Sequence, residues 1–185
     1  MQGRHPGSGR GSATNRIKSI VNEGRCRTFV CLQAESPPQD SESGVLGGFH
    51  DWKTNPMNFK SYREEVIAAI GSDTSGPPPA FVHYGIRNFD VADSLEGLSA
   101  LIDDLGRRVR AGESLYMHCW GGKGRAGLVS ACLLGELYDT IDAEEALQRV
   151  GAYVNLNGIQ IHSPETDAQK DQVREFYAFR QRSRQ

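Results

Sequence analysis

The strongest hydrophobic pattern in the chain runs from Ser94 to Arg110. There Leu95, Leu98, Leu101, Ile102, Leu105 and Val109 recur at helical spacing behind a serine suited to cap the first turn. Other stretches follow the same logic. "NRIKSIVNEG" puts Ile17, Ile20 and Val21 on one helical face and stops at Gly24, a glycine placed to end a helix. "NFKSYREEVIAAIG", the fully apolar "RAGLVSACLLGELYD" and "DAEEALQRVGAYV" predict three more helices, the last opened by a capping box from Asp142 to Glu145. A final helix is expected from Ser163-Pro164, with the serine as cap and the proline in the first turn. Between the helices stand short apolar runs that read as strands: "RTFVCLQ", "AFVHYGI" and "SLYMHC". Residues 35 to 60, broken by Pro37, Pro38, Gly44, Gly47, Gly48 and Pro56, are expected to form a long excursion over the surface.

Strands alternating with helices predict an α/β fold, a mostly parallel central sheet flanked by helices. Residues 1 to 14, rich in Gly, Ser and Arg and without apolar periodicity, read as a flexible N-terminal segment; residues 15 to 185 read as a single domain. The 185 residues, 38% hydrophobic and 24% charged, suit one core. A net charge of -2 leaves no electrostatic footprint for nucleic acid, and no apolar run approaches the roughly 18 residues of a membrane span. Cys26, Cys31, Cys119 and Cys132 form no CxxC pair and no metal-ligand cluster, so the expectation is free thiols in a reducing, cytoplasmic setting. Arg4, Arg10, Arg16 and Lys18, with no acid before residue 23, partly resemble an organelle transit peptide, although the basic amphipathic helix of such a peptide is missing.

One loop carries the chemistry. In a parallel sheet, ligands gather at the carboxyl ends of strands, and "SLYMHC" ends there at Cys119. The "HCWGGKGRAG" that follows holds Gly121, Gly122 and Gly124, which allow backbone N–H groups to turn inward as an anion nest. The helix beginning near Arg125 adds the positive end of its dipole. A cysteine at the floor of such a nest is favoured as the thiolate. Arg125 returns beside it with a planar fork that matches two phosphate oxygens. Cradle, nucleophile and clamp fit phosphoryl transfer.

His118-Cys119-x5-Arg125 resembles the signature loop of the cysteine-dependent protein tyrosine phosphatase superfamily, and the layout around it looks like the dual-specificity branch. The "HCWGG" form is similar to an atypical group of paladin-like and kinase-inhibitor-associated phosphatases. The resemblance implies a phosphatase-like α/β fold and a hydrolase of phosphomonoesters. It implies that Cys119 attacks phosphorus, forms a phosphocysteine and releases it to water, with no metal or other cofactor. His118, Cys119 and Arg125 join the catalytic set; Trp120, Gly121, Gly122, Lys123, Gly124 and Arg125 hold the phosphate.

The proton for the leaving oxygen is sought in "YGIRNFDVADS". In one family layout the acid stands two residues after an isoleucine, where this chain has Asn88, which cannot serve. In another it stands four residues after a Gly-Ile pair, at Asp90, the first choice. Asp93 comes second, since an acid beside Ser94 also suits the start of a helix. Where many relatives carry a hydroxyl after the arginine, this chain has Ala126, so slow turnover is expected, although Arg-Ala also looks like plant-type glucan phosphatases. "SPETDAQKDQV" is similar to a segment that positions the attacking water; Gln169 keeps its second glutamine, while Glu165 replaces the first. Lys123 resembles a cation that pairs an extra phosphate in tensin-type inositol lipid phosphatases.

A phosphoprotein substrate is therefore expected, with phosphoinositide or phosphoglucan as alternatives and a weakly active phosphate-binding module as a third reading. The "GRHPGS" stretch is similar to a loop that follows a first strand in relatives, yet no strand is read before it.

Overall fold

A period of two along the central strands decides the layers. The computed structural model describes residues 1–6, 13–39, 45–57, 59–71, 76–155 and 162–183. Its strands are β1 (Gln2–Arg4), β2 (Thr28–Gln33), β3 (Val45–Gly48), β4 (Ala80–Ile86) and β5 (Leu115–Cys119). They make one sheet in the order β1-β5-β2-β4-β3, with every pairing parallel. Val30, Leu32, Val82, Tyr84, Ile86, Leu115 and Met117 join one core with α3 (Leu95–Arg110), α4 (Gly124–Leu137), α5 (Ala143–Val154) and α6 (Asp167–Ser183). The intervening Phe29, Phe81 and Tyr116 join a second core with α1 (Ala13–Lys18) and α2 (Arg63–Ile70). Helices thus cover both faces, as parallel sheets require.

Local chemistry sets the helix ends. Ser94 Oγ accepts from Gly97 N at 3.0 Å and Asp142 accepts from Glu145 N at 2.8 Å, so both N-caps form, while the Glu145 carboxylate accepts from Arg149 rather than completing the expected capping box. A π-helical turn, Ser19–Glu23, prolongs α1 to Gly24, whose N–H closes on Ser19 O. Helix α4 buries Ala126, Leu128, Val129, Ala131 and Cys132, which explains its unbroken apolar sequence. Glu136 of α4 ties its neighbours, accepting from Arg110 of α3 and Arg180 of α6.

The structure corrects three expectations. Gln2–Arg4, read as part of a flexible segment, pairs with Met117–Cys119 as an edge strand, and α1 begins at Ala13; residues 7–12 of that segment lie outside the described residues. Three residues are too few to show an alternation, and pairing decides them. The strand that "GRHPGS" lacked is this one. Residues 35 to 60 do not simply skirt the surface, because Val45–Gly48 pairs with β4 and Glu35, Ser36 and Gln39 are buried. Finally, α6 starts at Asp167 rather than at Ser163-Pro164. Ser163 Oγ is engaged elsewhere, donating to Lys123 O at 2.7 Å, and Thr166 Oγ1 caps the helix by accepting from Gln169 N.

Candidate active site

Strand β5 delivers Cys119 to the carboxyl edge of the sheet, and the chain turns at once into α4. Gly122 makes the turn possible. Its φ is +74°, and a Cβ there would lie 2.5 Å from the Gly3 carbonyl, so both backbone conformation and space exclude a side chain. Gln2 Nε2 donates to Gly122 O at 2.7 Å and fastens the loop to β1. Lys123 precedes α4 without capping it through its side chain, so the first N–H groups of α4 stay available to an anion.

Cys119, Gly121, Lys123, Gly124 and Arg125 line one small pocket, together with Asn88, Phe89, Glu165 and Gln169. Cys119 is buried and Arg125 is only 2% exposed. Sequence reasoning missed the group that makes so buried a guanidinium tolerable. Glu35, in the segment after β2, takes Arg125 Nη1 on Oε2 at 2.7 Å and Nη2 on Oε1 at 2.9 Å. Nη1 also donates to Ile86 O at 2.9 Å, and Nη2 to Asn88 Oδ1 at 3.2 Å. Both hydrogens on each Nη are then engaged, and among the described residues Nε–H is the donor left for a ligand. A two-pronged grip on phosphate therefore requires Asn88, the longest of the four bonds, to give up Nη2. Burial works to raise the Glu35 carboxyl, and the hydrogen bonds and charge of Arg125 more than offset it, holding it below the ordinary glutamate range. Glu35 stands just past the end of β2, and only the pairing of β2 with β5 brings it to Arg125.

Beneath the loop, His118 is fully buried. The Tyr62 hydroxyl lies 2.7 Å from its Nε2, and the His5 ring meets it edge-on with centroids 5.3 Å apart. Burial, followed by the charges of His5 and its other neighbours, pushes the imidazole well below its ordinary range and keeps it neutral. The Tyr62 hydroxyl and Nε2 share a hydrogen bond, and the Cys119 backbone is a further polar neighbour of the ring. His118 thus supports the strand end instead of entering the pocket.

Other expected residues stand off. Trp120 is 43% exposed and meets Phe59 edge-on, with its carbonyl accepting from His5 N. Asp90 is exposed and accepts from Val91 N at 2.9 Å, outside the pocket lining. Asp93 is held by the Tyr84 hydroxyl. Gln169 reaches the pocket, but its amide is a bridge: Oε1 accepts from Glu165 N and Thr166 N, and Nε2 donates to Asp90 O at 3.0 Å. It joins the start of α6 to the loop that bears Asp90. Ala126 is buried in the apolar core. Lys123 is paired with Glu165 at 2.5 Å. A larger, mostly apolar groove of about 510 Å³, lined by Leu115, Met117, Leu133, Leu137 and Val150, contains neither Cys119 nor Arg125.

Among the described residues no helix is long and apolar enough to cross a membrane, and no cluster of metal-ligating side chains occurs.

The backbone aligns with known phosphatases. The active form of Tk-PTP is 19% identical with a TM-score of 0.60, covering 96% of this chain and 97% of the other. PTPMT1, solved in complex with PI(5)P, is 14% identical at 0.61, over 92% and 88%. Kinase associated phosphatase, with its catalytic cysteine replaced by serine, is 16% identical at 0.57, over 97% and 83%. At such identities the likeness establishes the fold. No curated protein sequence matches the chain. A family model described as "PTP-SAK: Swiss Army Knife protein, DSP-PTPase phosphatase domain" matches residues 76–183, more than half of the chain and all of the segment from β4 through the cysteine loop to α6. The chain therefore belongs to the Swiss Army Knife family of dual-specificity-type protein tyrosine phosphatase domains, within the cysteine-dependent phosphatase superfamily.

Proposed function

We propose that the protein hydrolyses phosphomonoesters on proteins through a phosphocysteine at Cys119. One observation carries this reading: Cys119 and the Glu35-held Arg125 line the same small pocket at the N-terminus of α4. The sulfur attacks phosphorus, the bond from phosphorus to the leaving oxygen breaks, and that oxygen takes a proton from Asp90. Water then gives its proton to Asp90 and its oxygen to phosphorus, the S–P bond breaks, and inorganic phosphate and the thiolate are restored. Arg125 and the α4 N–H groups stabilise the equatorial oxygens in both steps. Asp90 is preferred to Asp93 because Gln169 ties its carbonyl to the pocket, whereas Tyr84 engages the Asp93 carboxylate.

The pairing of Lys123 with Glu165 favours a substrate with a single phosphate, because the cation that would meet a second one is already compensated. Phosphoinositide, such as the PI(5)P bound by PTPMT1, is the competing substrate, and it requires Lys123 to leave Glu165.

The test is phosphate release from p-nitrophenyl phosphate across pH 5 to 8. Wild type should turn over and Cys119→Ser should be inactive. Asp90→Ala should lose about 10²- to 10⁴-fold in kcat, the usual contribution of a general acid, together with the basic limb of the profile. A loss confined to Asp93→Ala would move the acid. Folded wild type no faster than Cys119→Ser would leave a phosphate-binding module.

A further inference from the structure

We infer that Phe89 is a specificity-determining residue, an aromatic platform at the mouth of the phosphate pocket that selects aryl over alkyl phosphomonoesters. This rests on the phosphatase reading and narrows its substrate to phosphotyrosine.

The inference begins with a turn. Asp90 N donates to Arg87 O at 3.1 Å, closing a four-residue turn whose third residue, Phe89, has φ of +62°. Left-handed backbone at that position ordinarily belongs to glycine or asparagine, since a Cβ crowds the neighbouring carbonyl. A bulky aromatic is among the worst choices on conformational grounds.

Packing offers no compensation. Phe89 is 59% exposed, above every other large apolar side chain described, and makes no ring contact among the described residues. The fold thus bears both backbone strain and exposed apolar surface at one residue, a combination that persists where a site needs it. That site is adjacent, because Phe89 lines the pocket with Cys119 and Arg125.

The ring also stands on a fixed base. Before it, the Arg87 guanidinium lies 3.2 Å from the centroid of the Phe49 ring, and Asn88 Oδ1 binds Arg125 Nη2. After it, Asp90 O is held by Gln169. With both flanks anchored, the left-handed residue presents its side chain outward beside the pocket. A phosphate seated over Cys119 brings its leaving group past this ring. An aryl group has a flat face to stack there, and an alkyl ester of serine or threonine has none.

The experiment compares kcat/KM for phosphotyrosine and phosphoserine peptides of otherwise identical sequence, using the full chain. Wild type should favour phosphotyrosine by about tenfold or more, an effect in the range of an aromatic stacking contact. Phe89→Ala and Phe89→Gly should reduce that ratio about tenfold, and Phe89→Tyr should keep it. Phe89→Gly relieves the left-handed strain and should melt no lower than wild type, which separates recognition from folding. Wild type active without preference, or an unchanged ratio in Phe89→Ala, overturns the platform and leaves the hydrolase standing. If wild type turns over neither peptide, binding to Cys119→Ser decides the platform, while turnover of p-nitrophenyl phosphate still decides the hydrolase. Tighter phosphotyrosine binding that Phe89→Gly abolishes supports it, and equal binding of the two peptides overturns it.

Discussion

A guanidinium at the bottom of a pocket needs company, and Arg125 has it from Glu35, the Ile86 carbonyl and Asn88. Glu35 matters most because its carboxylate balances a charge that is almost entirely out of water. Removing one partner of such a pair leaves the other uncompensated, which typically costs about 3–5 kcal/mol. Glu35→Ala should therefore lose roughly that much by urea titration, and its phosphatase activity should fall even under conditions where it remains folded. Stability equal to wild type would show that Arg125 does not depend on this pair. That Cys119, Lys123 and Arg125 line one pocket could be read from the sequence because they stand on one contiguous loop with its glycines between them. Glu35 lies 90 residues away. Its role is created by the β5-β2 pairing, which no local pattern announces.

At the level of elements, the loop and β1 form one unit. Gly122 approaches Gly3 so closely that its missing Cβ is a condition of the pairing. Gly122→Ala should push the two segments apart and strain the loop. The expected result is at least about 1 kcal/mol of lost stability, the scale of a left-handed penalty, with a larger loss in kcat/KM than in stability. A variant matching wild type in both would place the tightness elsewhere. The helices were legible because α3 keeps its apolar stripe over sixteen residues, with Ser94 spelling out its start. The expected start of α6 was misplaced because Ser163 looks like a cap in sequence and is spent on Lys123 in space. Short β1 and β3 escaped notice for want of residues. Their identity comes from the partner strands.

The whole molecule follows from the alternation along β2, β4 and β5, which sends neighbouring side chains into two cores on opposite faces of the sheet. The same sheet buries histidines. Burial, ahead of nearby charges, pushes His5 and His83 down to about 4, and His118 falls well below its ordinary value. In the unfolded chain these groups bind protons near pH 6.5. Between about pH 6.5 and 4 the unfolded state thus holds more protons than the folded one. The stability these histidines confer is full above that window and falls as pH drops through it. Glu35, held low by Arg125, adds a loss in the same direction once the carboxylate range is reached. The melting temperature should decline from pH 7.5 to pH 5, less steeply in His5→Gln. A flat profile would mean that these imidazoles are charged in the fold.

The paired cations have a kinetic consequence. Arg125 faces Glu35, Lys123 faces Glu165, and the chain as a whole is slightly acidic. These two cations therefore add little long-range pull on an anionic substrate. Attraction acts mainly at contact, through backbone N–H groups and the remaining arginine donor. Association with substrate should therefore depend on how often the two meet in the right orientation, and added salt should change its rate little.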